Sequence, residues 1–322
     1  MSRLILGVDV GGTSTAAGVV TADGDVIGWQ SALTHGAADP LETMTSLIAG
    51  VREAVGRRAD AIGAAGVGVP GPVDAARGRI GAPVTHVPAL AGRALAAELG
   101  ERLRLPVFVD NDVNALALGE WMFGAGRGSR SLVVLAAGTG IGAGIVLDGR
   151  IVRGATGFGG ELGHVPVKFD GPRCFCGGRG CLSVYASGRG IADAARARVA
   201  GDPQAVLVKA AAGDPQSITA PLVFRAAADG DAVAAAIVEE ACQAMGAMIG
   251  IIVNGLNPEV VVITGGVAQS LAPLEPKILG AAAEYTLPRA LAATRITIVP
   301  GDKRIGVRGA AALALYEEGI SS

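Results

Sequence analysis

The chain has 322 residues, half of them hydrophobic and 17% charged, with a net charge of −2. That balance supplies a core for two domains or one large one, and it excludes nucleic-acid binding through a basic surface. Aromatics make up only 3% and the 50 glycines are roughly twice the usual share, so the core is aliphatic and the elements are joined by many tight turns.

The apolar run over residues 4–10 predicts a strand that meets a turn at Gly11-Gly12. Residues 15–20 and 25–31 follow as further strands around Ala22-Asp23-Gly24, which is hairpin chemistry. Leu41, Met44, Leu47, Ile48, Val51 and Val55 recur at helical spacing and predict a helix over 40–58. A buried strand is expected over 62–69, a helix over 93–103 and a strand over 106–110.

The pattern then repeats. Residues 131–136 form a strand that meets Gly138-Thr139-Gly140, and strands over 144–147 and 150–153 flank Asp148-Gly149. After a cysteine-rich segment the chain turns helical and Ala-rich to about residue 253. A strand over 259–264 meets Gly265-Gly266, another covers 295–299, and the last helix begins near Val307. Two mixed α/β domains are expected: a smaller one over 1–115, on which a last helix of about 308–322 packs back, and a larger one over 116–322.

Asp9 interrupts the N-terminal apolar run where a signal peptide needs a continuous core. The longest apolar helical stretch, residues 244–253, stops at Asn254 and falls short of a bilayer. A soluble, cytoplasmic protein without a membrane partner is expected. In a reducing compartment clustered thiols hold a metal more readily than a disulfide.

Asp9-Val10-Gly11-Gly12-Thr13 follows the first strand. Its glycines let backbone N–H groups approach phosphate oxygens, Thr13 adds a hydroxyl, and Asp9 can hold magnesium or its water shell. The alternative is an ordinary glycine hairpin with a solvated acid. Gly138, Thr139 and Gly140 repeat this logic at the equivalent place in the second half, and Gly265-Gly266 makes a third turn where adenosine can lie against backbone. Asp110-Asn111-Asp112-Val113-Asn114 joins a strand to a helix. Either an acid there caps the helix, or one carboxylate takes a proton from a hydroxyl nucleophile while Asn111 bonds neighbouring hydroxyls.

His164, Cys174, Cys176 and Cys181 form a compact three-thiol, one-imidazole set, which suits a closed structural zinc site. Glu161, three residues before His164, is a carboxylate such a site does not need, and it points to a ligand beside the metal. Cys242 stands alone and reads as a small buried residue.

In this order the motifs resemble the ROK (repressor–ORF–kinase) family of sugar kinases along essentially the whole chain. Asp9-x-Gly11-Gly12-Thr13 looks like the family's first phosphate motif, Gly138-Thr139-Gly140 like its second, and Gly265-Gly266 like its adenosine motif. Asn111-Asp112-x-Asn114 resembles the catalytic segment, Glu161-x-Gly163-His164 the sugar motif, and the cysteine cluster the zinc motif. The resemblance implies an actin-like ATPase fold with two RNase-H-like domains, a homodimer or homotetramer, and ATP with Mg2+. It implies transfer of the γ-phosphoryl to a hexose hydroxyl, most often at C6, with Asp112 as base. Asn111, Asp112, Glu161 and His164 then contact the sugar, and His164 shares its two ring nitrogens between zinc and sugar.

The chain departs from the glucokinase pattern at Ser183, where a sugar-binding Glu is common, and in the 85–90 loop, where His86 replaces an Asn and Leu90 a Trp. Ser14 stands where Lys often follows the Thr. Glucose is the default substrate. Mannose, fructose, an amino hexose, or N-acetylmannosamine or N-acetylglucosamine are the alternatives that a short, neutral Ser183 leaves open. A catalytically silent sugar sensor is a reading of another class. The family's repressors carry a helix-turn-helix before the first phosphate motif, for which Asp9 leaves no room. Polyphosphate-using relatives exist, and the adenosine turn favours ATP.

Overall fold

A computed structural model describes residues 3–301 and 303–321. The chain forms two compact units, one of Met1–Leu132, Gly144–Gly160 and Asp302–Ser322, the other of Val133–Ala143 and Glu161–Gly301.

The first sheet contains β1 (Leu4–Val10), β2 (Ser14–Thr21), β3 (Val26–Leu33), β4 (Ile62–Val69) and β7 (Val107–Asn111). A small hairpin, β5 (Val73–Asp74) with β6 (Arg79–Ile80), stands apart from it. The strand order is β3-β2-β1-β4-β7: β1 pairs antiparallel with β2 and parallel with β4, and β4 pairs parallel with β7. Side chains alternate across a strand, so Leu4, Leu6, Val8 and Val10 enter one core with Met44, Val51, Leu95 and Leu99. Ile5 joins a second core with Ala64, Val307, Ala311 and Ala314 from the helix Lys303–Ser321. That helix lies close on the sheet because Gly66 has no side chain: a β-carbon there would meet the carbonyl oxygen of Ala310 at 1.8 Å.

The second sheet contains β8 (Leu132–Ala137), β9 (Ile141–Leu147), β10 (Arg150–Ile151), β11 (Val260–Thr264) and β12 (Arg295–Ile298), in the order β10-β9-β8-β11-β12. With the β5–β6 hairpin set aside, both sheets arrange the third, second, first, fourth and fifth strands of their segment in the same sequence. The repeat read from the sequence is thus a repeat of topology.

Some boundaries differ from the expected ones. The helix Pro40–Val55 begins at an Asp39 cap, whose side chain accepts from the Leu41 N–H at 2.9 Å, and ends before Gly56 at φ 57°. The expected continuation to residue 58 is a 3-10 turn instead. The helix expected from residue 93 starts at Leu95, and the Arg93 guanidinium instead ties Asp39 to Glu98. The apolar stretch expected to stop at Asn254 belongs to a helix of 25 residues, Ala232–Leu256. Asn254 stays helical because its amide side chain bonds the Tyr285 carbonyl and the Leu287 N–H at 2.7 and 3.0 Å. With a mean hydropathy of 1.6 this helix is long and apolar enough to cross a membrane by composition, but 67% of its apolar window is buried in the second unit. It packs on the helix Glu275–Tyr285 through Gly246 and Gly250.

Candidate active site

The segment Asp110–Asn114 sits where β7 runs into the helix Asp112–Met122. Asn111 is both the last strand residue and the helix cap. Its Oδ1 accepts from the Val113 and Asn114 N–H groups at 2.9 and 3.3 Å, and its Nδ2 donates to the Gly71 carbonyl at 3.1 Å. Asp112 is the first helical residue and is only partly covered. Its Oδ1 accepts from the Val113 N–H at 2.9 Å. Asp110 is 1% exposed and committed to donors: Oδ1 accepts from the Asn111 N–H at 2.7 Å and from Asn114 Nδ2 at 3.0 Å, and Oδ2 from Arg153 Nε at 2.7 Å. Of the two acids, then, Asp110 is the internal anchor and Asp112 the reachable carboxylate. Asn114 Oδ1 is buried without a partner.

At the end of β1, the loop of Gly11, Gly12 and Thr13 closes through the Gly11 N–H to the Ser14 carbonyl at 3.0 Å. Thr34 fixes it from the next hairpin: its Oγ1 donates to the Gly11 carbonyl at 2.6 Å and its N–H to the Thr13 carbonyl at 3.0 Å. Thr34 carried no signal in the sequence, since its role depends on the β2–β3 pairing. His86 is exposed and packs against Gly12, where an added β-carbon would meet the His86 Cβ at 2.9 Å. It borders the Gly11–Thr13 loop. Leu90 is fully buried in the core, so its difference from Trp is absorbed by packing. Burial pushes the Asp9 carboxyl up to about 6.

In the second unit Gly138, Thr139 and Gly266 line one cavity of about 590 Å³ with Arg189, Phe224 and Val267. The second loop and the third turn, 126 residues apart between Thr139 and Gly265 by their numbers, therefore face the same space. Gly265 makes this possible. Its φ is +100°, and a β-carbon would lie 2.5 Å from the Ala137 carbonyl oxygen. The helix Gly188–Arg198 closes on the loop through N–H groups of Gly188 and Arg189, which donate to the Gly138 and Thr139 carbonyls at 2.8 and 3.1 Å.

The donor atoms of His164, Cys174, Cys176 and Cys181 lie within 4.8 Å of one another. Cys176 and Cys181 Sγ are 3.7 Å apart, and Cys174 Sγ is 3.6 Å from His164 Nδ1. A tetrahedron with Zn–S bonds of about 2.3 Å has edges of about 3.8 Å, so the set fits. Burial, then the neighbouring thiols of Cys176 and Cys174, push the Cys181 thiol up to about 12. Crowded thiols of this kind need a cation to ionise together. Because Nδ1 faces the thiols, Nε2 is the nitrogen left for another partner.

His164 ends a 3-10 turn, Leu162–His164, that begins after Glu161, which is exposed. Gly163 packs on the start of β9, where a β-carbon would lie 1.9 Å from the Ile141 carbonyl oxygen and 2.9 Å from Ser183 Oγ. Ser183 is 2% exposed and its hydroxyl has no partner. The structure thus brings together Glu161, His164, the cysteines and Ser183 in the second unit. Asn111 and Asp112, with Asp9, Gly12 and His86, belong to the first.

The model of the ROK family matches residues 5–317. The chain belongs to the ROK family. This ROK protein is 33% identical over 316 residues to a glucokinase of Thermotoga maritima, with 96% of each chain covered. A ROK glucokinase from Streptomyces griseus, solved in complex with glucose and AMPPNP, superposes with a TM-score of 0.80 at 31% identity, over 97% of this chain and 99% of that one. A ROK hexokinase from Thermus thermophilus also gives 0.80, at 32% identity, over 99% and 100%. The fold is the actin-like ATPase fold of ROK sugar kinases.

Proposed function

We infer that this ROK protein is a sugar phosphotransferase that transfers the γ-phosphoryl of ATP to a hexose hydroxyl, with glucose the default acceptor and C6 the favoured position. The observation that carries the reading is whole-length similarity to a glucokinase solved with glucose and an ATP analogue, in a chain that keeps Asp112 at the head of its helix.

The Asp112 carboxylate accepts the proton of the attacking hydroxyl. The hydroxyl oxygen forms its bond to the γ-phosphorus as the bond to the β,γ-bridging oxygen breaks, and ADP leaves with that electron pair. Asn111, Glu161 and His164 hydrogen-bond the sugar. Gly11, Gly12 and Thr13, and Gly138, Thr139 and Gly140, supply donors to phosphate oxygens, and Gly265-Gly266 receives the adenosine. Mg2+ carried with ATP offsets the charge of the transferring group, and Asp9 would hold it or its water. The Cys3His set would hold a structural zinc, which fixes the His164 ring while its four protein ligands leave no open position. The composition and the kinase relatives support a cytoplasmic enzyme, and the family resemblance a homodimer or homotetramer.

The short, neutral side chain of Ser183, where a sugar-binding Glu is common in the family, leaves amino and N-acyl hexoses, mannose and fructose as alternative acceptors. A coupled ADP-release assay over hexoses, hexosamines and N-acyl hexosamines, repeated with Ser183→Glu, decides. Glucose as best acceptor, improved by Ser183→Glu, is the expected result. An N-acyl hexosamine preferred by the wild type and lost in the variant would move the substrate. Absence of ADP release with every sugar would remove the kinase.

A further inference from the structure

We propose that Arg153 is a positioning residue for phosphoryl transfer: it clamps Asp110 and thereby sets the backbone that presents Asp112. Arg153 follows β10 by two residues and lies 43 residues beyond Asp110 in the chain. Its Nε donates to Asp110 Oδ2 at 2.7 Å, and an NH2 hydrogen bond ties it to Glu317 on the last helix. The guanidinium also stands over the Tyr316 ring, whose hydroxyl accepts from the Ile151 N–H at 3.1 Å. Side-chain exposure is 25% for Arg153 and 2% for Asp110.

Asp110 distributes this hold. One oxygen faces Arg153 while the other accepts from the Asn111 N–H and from the side chain of Asn114. Those two residues bracket Asp112, one as helix cap and one in the first turn. A buried carboxylate stripped of its cation is strongly destabilised and seeks new partners. Loss of Arg153 therefore moves Asp110 and, with it, the Asn111–Asn114 turn. A misplacement of about 1 Å in a positioned site lowers turnover by up to about 10²-fold without removing substrate contacts. A hydrogen bond from the guanidinium to Glu317 on the last helix shares that hold, so the C-terminal helix takes part in setting the catalytic turn.

The inference rests on Asp112 as base, and the test separates the two. Arg153→Met, Arg153→Lys and Asp112→Asn are prepared in the full chain, and kcat, KM for ATP and glucose, and thermal unfolding are measured with glucose and MgATP. For Arg153→Met the expected result is a kcat about 10- to 100-fold lower with KM for ATP within about threefold of wild type. Arg153→Lys keeps the charge but cannot fork to Asp110 and Glu317 together, so its kcat is intermediate. A kcat for Arg153→Met within about twofold of wild type, or a loss matched by an equal fall in folded fraction, overturns the proposal. If Arg153→Met does not fold, Arg153→Lys decides alone: wild-type kcat overturns, reduced kcat at unchanged KM for ATP supports. Should Asp112→Asn retain turnover, the base assignment fails and takes the proposed role of Arg153 with it, whereas loss of turnover in Asp112→Asn beside wild-type kcat in the Arg153 variants overturns the clamp alone.

Discussion

The carboxylate of Asp9 lies against the backbone of Gly306: a β-carbon at Gly306 would stand 2.1 Å from Asp9 Oδ2. The last helix therefore covers the end of the first strand, and the covered acid has its pKa pushed up to about 6. The sign follows directly. A folded-state pKa above the ordinary value of 3.8 means that the protonated acid favours the fold below about pH 4, and that this contribution is lost as pH rises through about 6.

Asp9→Asn should accordingly stabilise the metal-free protein at pH 8, by at most about 3 kcal/mol, and do little near pH 4. The same substitution should lower phosphoryl transfer, because it removes the carboxylate proposed to hold magnesium or its water. Thermal unfolding at the two pH values checks the first half. An equal destabilisation at both would show that Asp9 is held by contacts rather than penalised by burial.

Asp112→Asn should reduce kcat by about 10²- to 10⁴-fold, the usual contribution of a general base. The helix head is retained, since Asn111 supplies the cap, so glucose binding by calorimetry should stay within a few-fold of wild type. Near-normal turnover would remove Asp112 from the chemistry.

Metal analysis should return one zinc per chain. Removal by a strong chelator should lower the melting temperature and weaken sugar binding together, because His164 belongs to the donor cluster and is the proposed sugar contact. Cys181→Ser, at a position 1% exposed, should do the same. Metal-free protein with unchanged sugar affinity would break the proposed link.

Gly265→Ala should cost about 2–4 kcal/mol, from a backbone conformation foreign to L residues and a clash with the Ala137 carbonyl. The strand end that carries Gly138 would shift with it, so KM for ATP should rise more than KM for sugar. An ATP KM equal to wild type would remove this turn from the proposed nucleotide site.

The local signals were the legible ones. Short apolar runs, Gly-rich turns and the Cys-x-Cys spacing depend on near neighbours, and they were enough to read the repeated strand units and the compact cysteine and histidine donor set. Helix ends were less legible. The helix starting at Pro40 stops at Gly56, and Asn254 remains helical because its side chain donates to the Tyr285 carbonyl and accepts from the Leu287 N–H, both distant in sequence. The two acids before the Asp112 helix look alike in sequence. Tertiary structure alone separates them, because the partner that occupies Asp110 is an arginine 43 positions away. The same holds for Thr34 on the Gly11 loop, for His86 on Gly12, and for Thr139 and Gly266 in one cavity. Residue type and spacing determine which groups are able to do chemistry. Which of them are already spent on other partners is fixed only when strands pair and the last helix returns to the first sheet.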